Sequence, residues 1–312
     1  MPETFNPQKA LPLVLFAFVA TLLFSYMRLN APLKEVSQLT LNLMLISLPV
    51  ITVSLAANKK WLPIADMGDN VLGLFGAGLI LSTVILAMPG MVGTPAAPGV
   101  NTGNMIFPYL ELQYGYATFV GIPLSSLSTA SLSERDLAIN YLALTVVFVP
   151  IAEEFAFLTF YFLLCAYFAN KFNSKFLGIL MASVIVGVFF TTFHYSAYAY
   201  IYNAQTLVTS TGQVIPNPDY IPNLSPFNPS SIAAMLSTKV GFSAFVMRMV
   251  LNIFGLLTGA YIATIGLHMG VNFLVVMHAA AVASSTLFVV MITVGGSLIL
   301  YSRFVQKKTR FE

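Results

Sequence analysis

Two adjacent glutamates, Glu153 and Glu154, lie inside an apolar stretch of the chain that runs from about residue 137 to residue 169. Neighbouring residues of a helix point about 100° apart, and two carboxylates at one depth of a membrane are not both ionised cheaply. One of them should be protonated or paired with a cation. A carboxylate able to take a proton is what general-base activation of water requires, and a structural pair facing a water-filled crevice is the alternative.

Two further motifs place polar side chains in other apolar stretches. The segment Phe190-Thr-Thr-Phe-His194 ends in a histidine, and His268-Met-Gly-Val-Asn272 pairs a histidine with an amide. In each motif the outer residues are four apart and share one helix face. Imidazole exchanges a proton near pH 7, and a histidine with an asparagine could donate two hydrogen bonds to an oxyanion. A single membrane histidine is commonly a packing residue, but three such elements favour a catalytic site.

The composition assigns the elements that carry these motifs to a membrane. Of 312 residues, 58% are hydrophobic and 8% are charged, and the mean hydropathy is +0.85. Soluble domains carry roughly 25% charged residues, so a cytosolic globular protein, a disordered chain and a nucleic-acid binder are excluded. The net charge of +3 comes from scattered residues and a short C-terminal tail. The single cysteine, Cys165, allows no intramolecular disulfide, zinc ribbon or redox pair.

A helix needs about 20 apolar residues to cross the hydrocarbon core of a bilayer, and eight runs of the chain meet this need. They cover approximately 11–29, 39–57, 71–88, 137–169, 176–200, 236–256, 258–279 and 282–302. The fourth run is too long for one perpendicular span, and we expect Pro150 to kink or divide it. Between the sixth and seventh runs we expect a tight helix break. Two glycine pairs, Gly255/Gly259 and Gly266/Gly270, could bring backbones close together.

The basic residues predict the topology, because cytoplasmic loops are enriched in lysine and arginine. The long connections at about 90–136 and 201–238 hold a single basic residue, Arg135, and are placed outside. We therefore predict one polytopic, all-α membrane domain over 1–312, with both termini cytoplasmic and the outer connections packed over the bundle. The plasma membrane is its expected location. The basic residues that mark the cytoplasmic side are Lys59, Lys60, Lys171, Lys175, Arg303, Lys307, Lys308 and Arg310.

The three motifs, in this order and on separate spans, resemble those of the CPBP family of membrane proteases. That family includes type II CAAX prenyl endopeptidases and bacteriocin-processing or self-immunity proteins. Its pattern is Glu-Glu-x-x-x-Arg, then Phe-x-x-x-His, then His-x-x-x-Asn, in an eight-helix bundle, and the resemblance covers roughly 137–285. The resemblance implies that Glu153 and His194 activate water and that His268 and Asn272 form an oxyanion hole. It also implies that Glu154 is the carboxylate paired with the arginine of the motif.

The chain departs from the family pattern at that arginine, because Leu158 stands four residues after Glu154. An unpaired buried carboxylate is costly unless it is protonated. Arg248 lies well inside the sixth apolar run and has no other evident acidic partner there. We therefore hypothesise that Arg248 pairs with Glu154. The alternative is that Arg248 extends along its stem to the membrane interface.

Three functions fit these features. The first is an intramembrane endopeptidase that cleaves a membrane-associated or lipidated protein, without a cofactor or with zinc held by Glu153, His194 and His268. The second is a catalytically degenerate relative that serves as a scaffold, immunity factor or complex subunit, for which Leu158 is the main support. The third is a transporter that uses the carboxylates, although no internal repeat supports it. The expected partners are the lipid bilayer and a protein or peptide substrate.

Overall fold

A computed structural model of the protein describes most of the apolar runs. The described residues are 70–87, 144–194, 202, 205–208, 214–217, 219–279 and 284–309, with 11, 12, 15, 16, 18–20 and 23 near the N-terminus. The predicted span at 39–57 and the whole connection at 90–136 lie outside them. The described residues between 11 and 23 are helical, as the first predicted span requires.

The described elements are mostly helices, and their bounds follow the predicted apolar runs. The helices are α1 (Val71–Ala87), α2 (Val149–Phe172), α3 (Lys175–Phe193), α4 (Pro229–Ser237), α5 (Lys239–Thr258), α6 (Tyr261–Ala279) and α7 (Ser284–Thr309). A π-helical turn, Leu144–Phe148, precedes α2. Two short strands, β1 (Thr206–Val208) and β2 (Val214–Pro216), form a two-stranded sheet.

Three of the described helical segments are long and apolar enough to cross a bilayer: Val146–Phe172, Lys175–Phe193 and Thr286–Phe304. The chain is thus a mostly helical integral membrane protein. The count of eight spans and the cytoplasmic placement of both termini stay predictions.

Pro150 does not divide the described part of the fourth run, because Val146–Phe172 is one continuous helical segment, but the helix changes type beside the proline. The π-helical turn ends at Phe148 and α2 begins at Val149, so the proline lies in the first turn of α2. A proline inside a helix removes the N–H donor of one intrahelical hydrogen bond, and the π-helical turn lies next to this position.

The chain divides into two compact units, and each is described by itself. The first contains the described residues of Met1–Ala65, Ala152–Leu207 and Pro216–Ile253, and the second those of Asp66–Ile151, Val208–Ile215 and Phe254–Glu312.

In the second unit, α1 packs against α6 and α7 through glycines. A methyl group added to Gly266 would collide with the backbone carbonyl of Phe75, and one added to Gly270 would collide with the Ser82 hydroxyl. Gly76 and Gly295 face each other, since a Cβ on either would come within 2.5 or 2.7 Å of the carbonyl oxygen of the other. The close approach predicted for the Gly266/Gly270 pair is confirmed.

Gly259 has a different use, at the tight connection between α5 and α6. Its φ of +63° lies in the left-handed region that favours glycine, and a Cβ there would meet nothing within 4 Å. Its N–H donates to the Gly255 carbonyl at 2.8 Å and closes the last turn of α5. The short helix break expected from the sequence is present.

In the first unit, α2 and α3 form an antiparallel hairpin. Asn173 takes a φ of +48°, and the Ser174 hydroxyl accepts from the Leu177 N–H at 3.3 Å to cap α3. Near this turn a Cβ on Gly178 would lie 2.8 Å from the Cys165 carbonyl oxygen, so the two backbones nearly touch. Phe18 from the N-terminal helix is buried against the hairpin, 4.8 Å from Phe157 between ring centroids.

The described part of the connection at 201–238 is packed, as predicted. The Ile221 N–H donates to the Tyr202 carbonyl at 2.8 Å, and both side chains are buried together with Asp219. Burial raises the pKa of the Tyr202 phenol above its ordinary value. The Asn228 side chain accepts from the Ser230 N–H and caps α4, whose first residue is Pro229.

The glycine contacts of the second unit predict an asymmetry between two glycine-to-alanine variants. Gly266→Ala should lower the free energy of unfolding by about 1–3 kcal/mol, because the added methyl group has only backbone to displace. Gly296→Ala is the matched control, since nothing lies within 4 Å of the methyl group it would add. Thermal unfolding in detergent measures both variants, and equal melting temperatures would contradict this packing.

Candidate active site

The best-defined polar interaction of the first unit joins Glu154 on α2 to Arg248 on α5. Nη1 of Arg248 donates to Oε1 of Glu154 at 2.8 Å, and Nη2 donates to Oε2 at 3.0 Å. Both side chains are 0% exposed. This parallel, two-bond geometry is the strongest form of an arginine–carboxylate contact. Glu154 is therefore held as a carboxylate, with both oxygens engaged by a cation.

Arg248 reaches Glu154 because one stripe of α5 packs along α3. Gly241, Phe245 and Arg248 follow one another at helical spacing. The Thr191 hydroxyl donates to the Gly241 carbonyl at 3.2 Å, and a Cβ on Gly187 would lie 2.7 Å from the Phe245 ring. These contacts fix the register of α5, and the next residue of the stripe is the arginine.

Two phenylalanines cover the guanidinium of Arg248. Its Cζ lies 5.8 Å from the Phe157 ring centroid and 5.5 Å from that of Phe190. The two rings contact each other edge to face, with their centroids 5.0 Å apart. Aromatic faces attract a cation and exclude water, so they favour a charged guanidinium at this depth.

The pairing that we hypothesised between Arg248 and Glu154 is present in the structure. Leu158, at the position of the family arginine, is fully buried one turn after Glu154. The cation that the motif lacks on α2 is thus supplied by α5. The alternative, in which Arg248 extends to an interface, is wrong because its side chain has no exposed surface.

Glu153 and His194 lie at corresponding levels of the α2–α3 hairpin. Glu153 precedes Phe157 by one turn of α2, and His194 follows Phe190 by one turn of α3. Since the helices are antiparallel and the two phenylalanine rings touch, each next turn in these directions leads to the same end of the hairpin. Glu153 and His194 therefore lie on the same side of one aromatic contact.

A hydrogen bond orients the His194 ring. Its Nδ1 lies 2.8 Å from the Phe190 carbonyl oxygen, and its ring centroid lies 4.3 Å from that of Phe190. A carbonyl oxygen only accepts, so Nδ1 carries the proton in this contact. In the neutral ring the basic lone pair is then on Nε2, the nitrogen directed away from that carbonyl.

His268 and Asn272 belong to the second unit. Both lie on α6, four residues apart and therefore on one helix face, and His268 is buried while Asn272 is partly exposed. Their convergence with Glu153 and His194 stays a prediction.

Sequence reasoning missed one residue of the first unit, Asn252. It follows Arg248 by four residues on α5, and its Oδ1 accepts from Nε of Arg248 at 2.9 Å. The signal in the sequence was the spacing to the arginine. Within the part of the chain that the structure describes, no three His, Cys, Asp or Glu side chains form a metal-binding group.

The fold and these side chains define a helical membrane protein with a buried, neutralised carboxylate next to a second glutamate and a histidine. Residues 135–274 match a protein-family model described as type II CAAX prenyl endopeptidase Rce1-like. This match covers somewhat less than half of the chain, and it confirms the resemblance that its motifs show to that family. The match includes all five residues of the predicted site. No curated protein and no solved structure matched the chain.

The buried pair predicts a strong coupling between its two members. Arg248→Leu should lower the free energy of unfolding by about 3–5 kcal/mol, because it leaves a buried carboxylate without its cation. The double variant Glu154→Leu/Arg248→Leu should recover most of that loss, since an apolar pair carries no charge to desolvate. Chemical unfolding in detergent measures this double-mutant cycle.

A second cation position provides the control for this cycle. Leu158→Arg places a guanidinium one turn from Glu154 on its own helix, so it should partly restore the stability of Arg248→Leu. Losses for Arg248→Leu of about 0.5 kcal/mol or less, as at an ordinary surface position, would contradict a buried charge pair.

Proposed function

We propose that this protein is an intramembrane endopeptidase that uses Glu153 and His194 to activate a water molecule. Its substrate would be a peptide bond of a membrane-associated protein, lipidated proteins included. The observation that carries the proposal is the unequal treatment of the two adjacent glutamates. Glu154 is neutralised by Arg248. Glu153 lies on the same side of the Phe157–Phe190 contact as His194.

This arrangement assigns different tasks to the two carboxylates. A carboxylate with both oxygens bound by a guanidinium is a poor proton acceptor. Both hydrogen bonds from the guanidinium tips go to Glu154, so proton transfer would fall to Glu153. We therefore assign Glu154 to the structure and the electrostatics of the site, and Glu153 to the chemistry.

In the proposed reaction, a water molecule donates one hydrogen bond to Glu153 and one to Nε2 of His194. As the water oxygen attacks the peptide carbonyl carbon, Glu153 takes its proton and the carbonyl oxygen becomes an oxyanion. The C–N bond then breaks, and the proton passes to the leaving amine. By the family resemblance, His268 and Asn272 would donate hydrogen bonds to the oxyanion. No metal takes part in this scheme.

The family description supports a CAAX-type substrate, in which a prenylated cysteine lies near the C-terminus. The topology expected from the lysines adds a constraint, because Lys171 lies near the cytoplasmic end of α2 and Glu153 near the opposite end. A substrate bond must then reach the outer half of the bilayer. Comparing one peptide with and without its prenyl group tests how far recognition depends on the lipid.

The competing function is a membrane scaffold or immunity factor with no catalytic activity. Leu158 favours it, because the family arginine is absent from α2. The Arg248 contact weakens this argument, since the charge that position 158 lacks is present beside Glu154.

The proposed base and its partner predict a loss of turnover without a loss of fold. Glu153→Gln and His194→Ala should each reduce peptide hydrolysis by about 10²–10⁴-fold, because each removes a proton-transfer group. The assay uses purified protein in liposomes with a quenched, prenylated CAAX peptide. Cys165→Ala, about three turns away on the same helix, is the control and should keep its activity.

Either outcome separates the two functions. Unchanged hydrolysis in both site variants would reject the proposed mechanism. A wild-type protein without hydrolysis of any membrane peptide, and with a phenotype that survives Glu153→Gln, would favour the scaffold.

Metal dependence distinguishes the metal-free mechanism from a mechanism that uses zinc. The water-only mechanism predicts that incubation with a zinc chelator leaves hydrolysis unchanged. If Glu153, His194 and His268 held zinc instead, the chelator would abolish activity and added zinc would restore it. Metal analysis of the purified protein by mass spectrometry gives a readout that does not depend on activity.

A further inference from the structure

Asn252 is a fully buried amide that the proposed chemistry does not use. Its Oδ1 accepts from Nε of Arg248 at 2.9 Å, whereas nothing among the described residues accepts from its Nδ2. A buried amide group without an acceptor is destabilising. An apolar side chain at this position would avoid that cost, so stability alone does not account for the asparagine.

The geometry of α5 directs Asn252 at the arginine. Side chains on a helix lean toward its N-terminus, so Asn252 points at the turn that Arg248 occupies. Nε is the guanidinium nitrogen nearest the stem. Holding Nε fixes the rotation of the planar group, and its two Nη nitrogens must then face one direction. In the structure that direction is Glu154.

The choice of direction matters because two carboxylates adjoin this site. Glu153 and Glu154 are neighbours on α2, and Arg248 of α5 lies against Glu154. Among the described residues of the first unit, Glu154 adjoins Glu153 on α2, His194 lies at the end of α3 and Arg248 lies on α5. If the guanidinium turned toward Glu153, its charge would lie against the proposed base and Glu154 would lose its cation.

We propose that Asn252 is a positioning residue that makes Arg248 pair with Glu154 and leaves Glu153 to act as the base. This inference deepens the proposed function and rests on it for its catalytic consequence. The positioning itself is a property of the folded protein. It can therefore be tested without any activity.

The first test is a double-mutant cycle on stability in detergent. With Asn252 present, Glu154→Gln should be strongly destabilising, because it removes the partner of Arg248, and Glu153→Gln should be clearly less so. In the Asn252→Leu background the guanidinium can turn to either carboxylate, so the two costs should approach each other. Leu251→Ala is the control, because Leu251 is equally buried next to Asn252 but points about 100° away around the helix. Leu251→Ala should leave the difference between the destabilisation by Glu154→Gln and the destabilisation by Glu153→Gln unchanged.

The second test is kinetic and uses the liposome assay. Asn252→Leu should reduce kcat on the order of 10²-fold with KM nearly unchanged, as expected when a reacting group is misplaced but substrate binding is not. Asn252→Gln retains an amide oxygen and should recover part of kcat.

The two tests fail in different ways. If Asn252→Leu leaves the unequal costs of Glu153→Gln and Glu154→Gln intact, Asn252 does not position the arginine, whatever the activity. If the costs converge but the wild-type protein hydrolyses no peptide, the positioning stands and the proposed function is wrong. A fall in kcat that Leu251→Ala reproduces would show a general packing effect and overturn the catalytic part.

Discussion

The first unit of this protein depends on one buried ion pair. Glu154 and Arg248 are both sealed from solvent among apolar helices, where either charge alone would be strongly unfavourable. They are tolerated because they meet in a two-bond geometry and because Phe157 and Phe190 cover the guanidinium. The pair therefore requires α2, α3 and α5 to be packed in one register. A shift of α5 by a single turn would separate the charges.

That register also carries the candidate site. The glycine and threonine contacts of α3 set the position of α5, and the phenylalanine contact between α2 and α3 sets the level of Glu153 and His194. The structural pair and the proposed catalytic pair thus share Phe157 and Phe190 as neighbours. Phe190 has a double role, since its ring adjoins Arg248 while its backbone carbonyl orients His194. The site is consequently a feature of the packed hairpin, and no single motif forms it alone.

Much of this could be predicted from the sequence, because a membrane leaves few choices. Apolar runs predicted the helix at 71–87 to within one residue and the start of the helix at 175–193, whereas the predicted run continued to 200, past the helix end at Phe193. Arg248 was matched to Glu154 because both charges needed a partner and few others lay in the apolar runs. Asn252 was missed, since a neutral amide in a helix has no such obligatory need. The relation of His268 to Glu153 was also beyond sequence reasoning, because it depends on how separate helices pack.

The helix that carries the arginine determines at which stage the charge of Glu154 is neutralised. An arginine four residues after Glu154 would meet it as soon as α2 is helical, because such a pair is local. With Leu158 at that position, the cation arrives only when α5 docks against α3. Until then Glu154 lacks its cation. In this chain the neutralisation of Glu154 therefore requires the tertiary contact between α2 and α5, whereas the family arginine would supply it within one helix. Leu158 accordingly relocates the need for a cation and does not remove it.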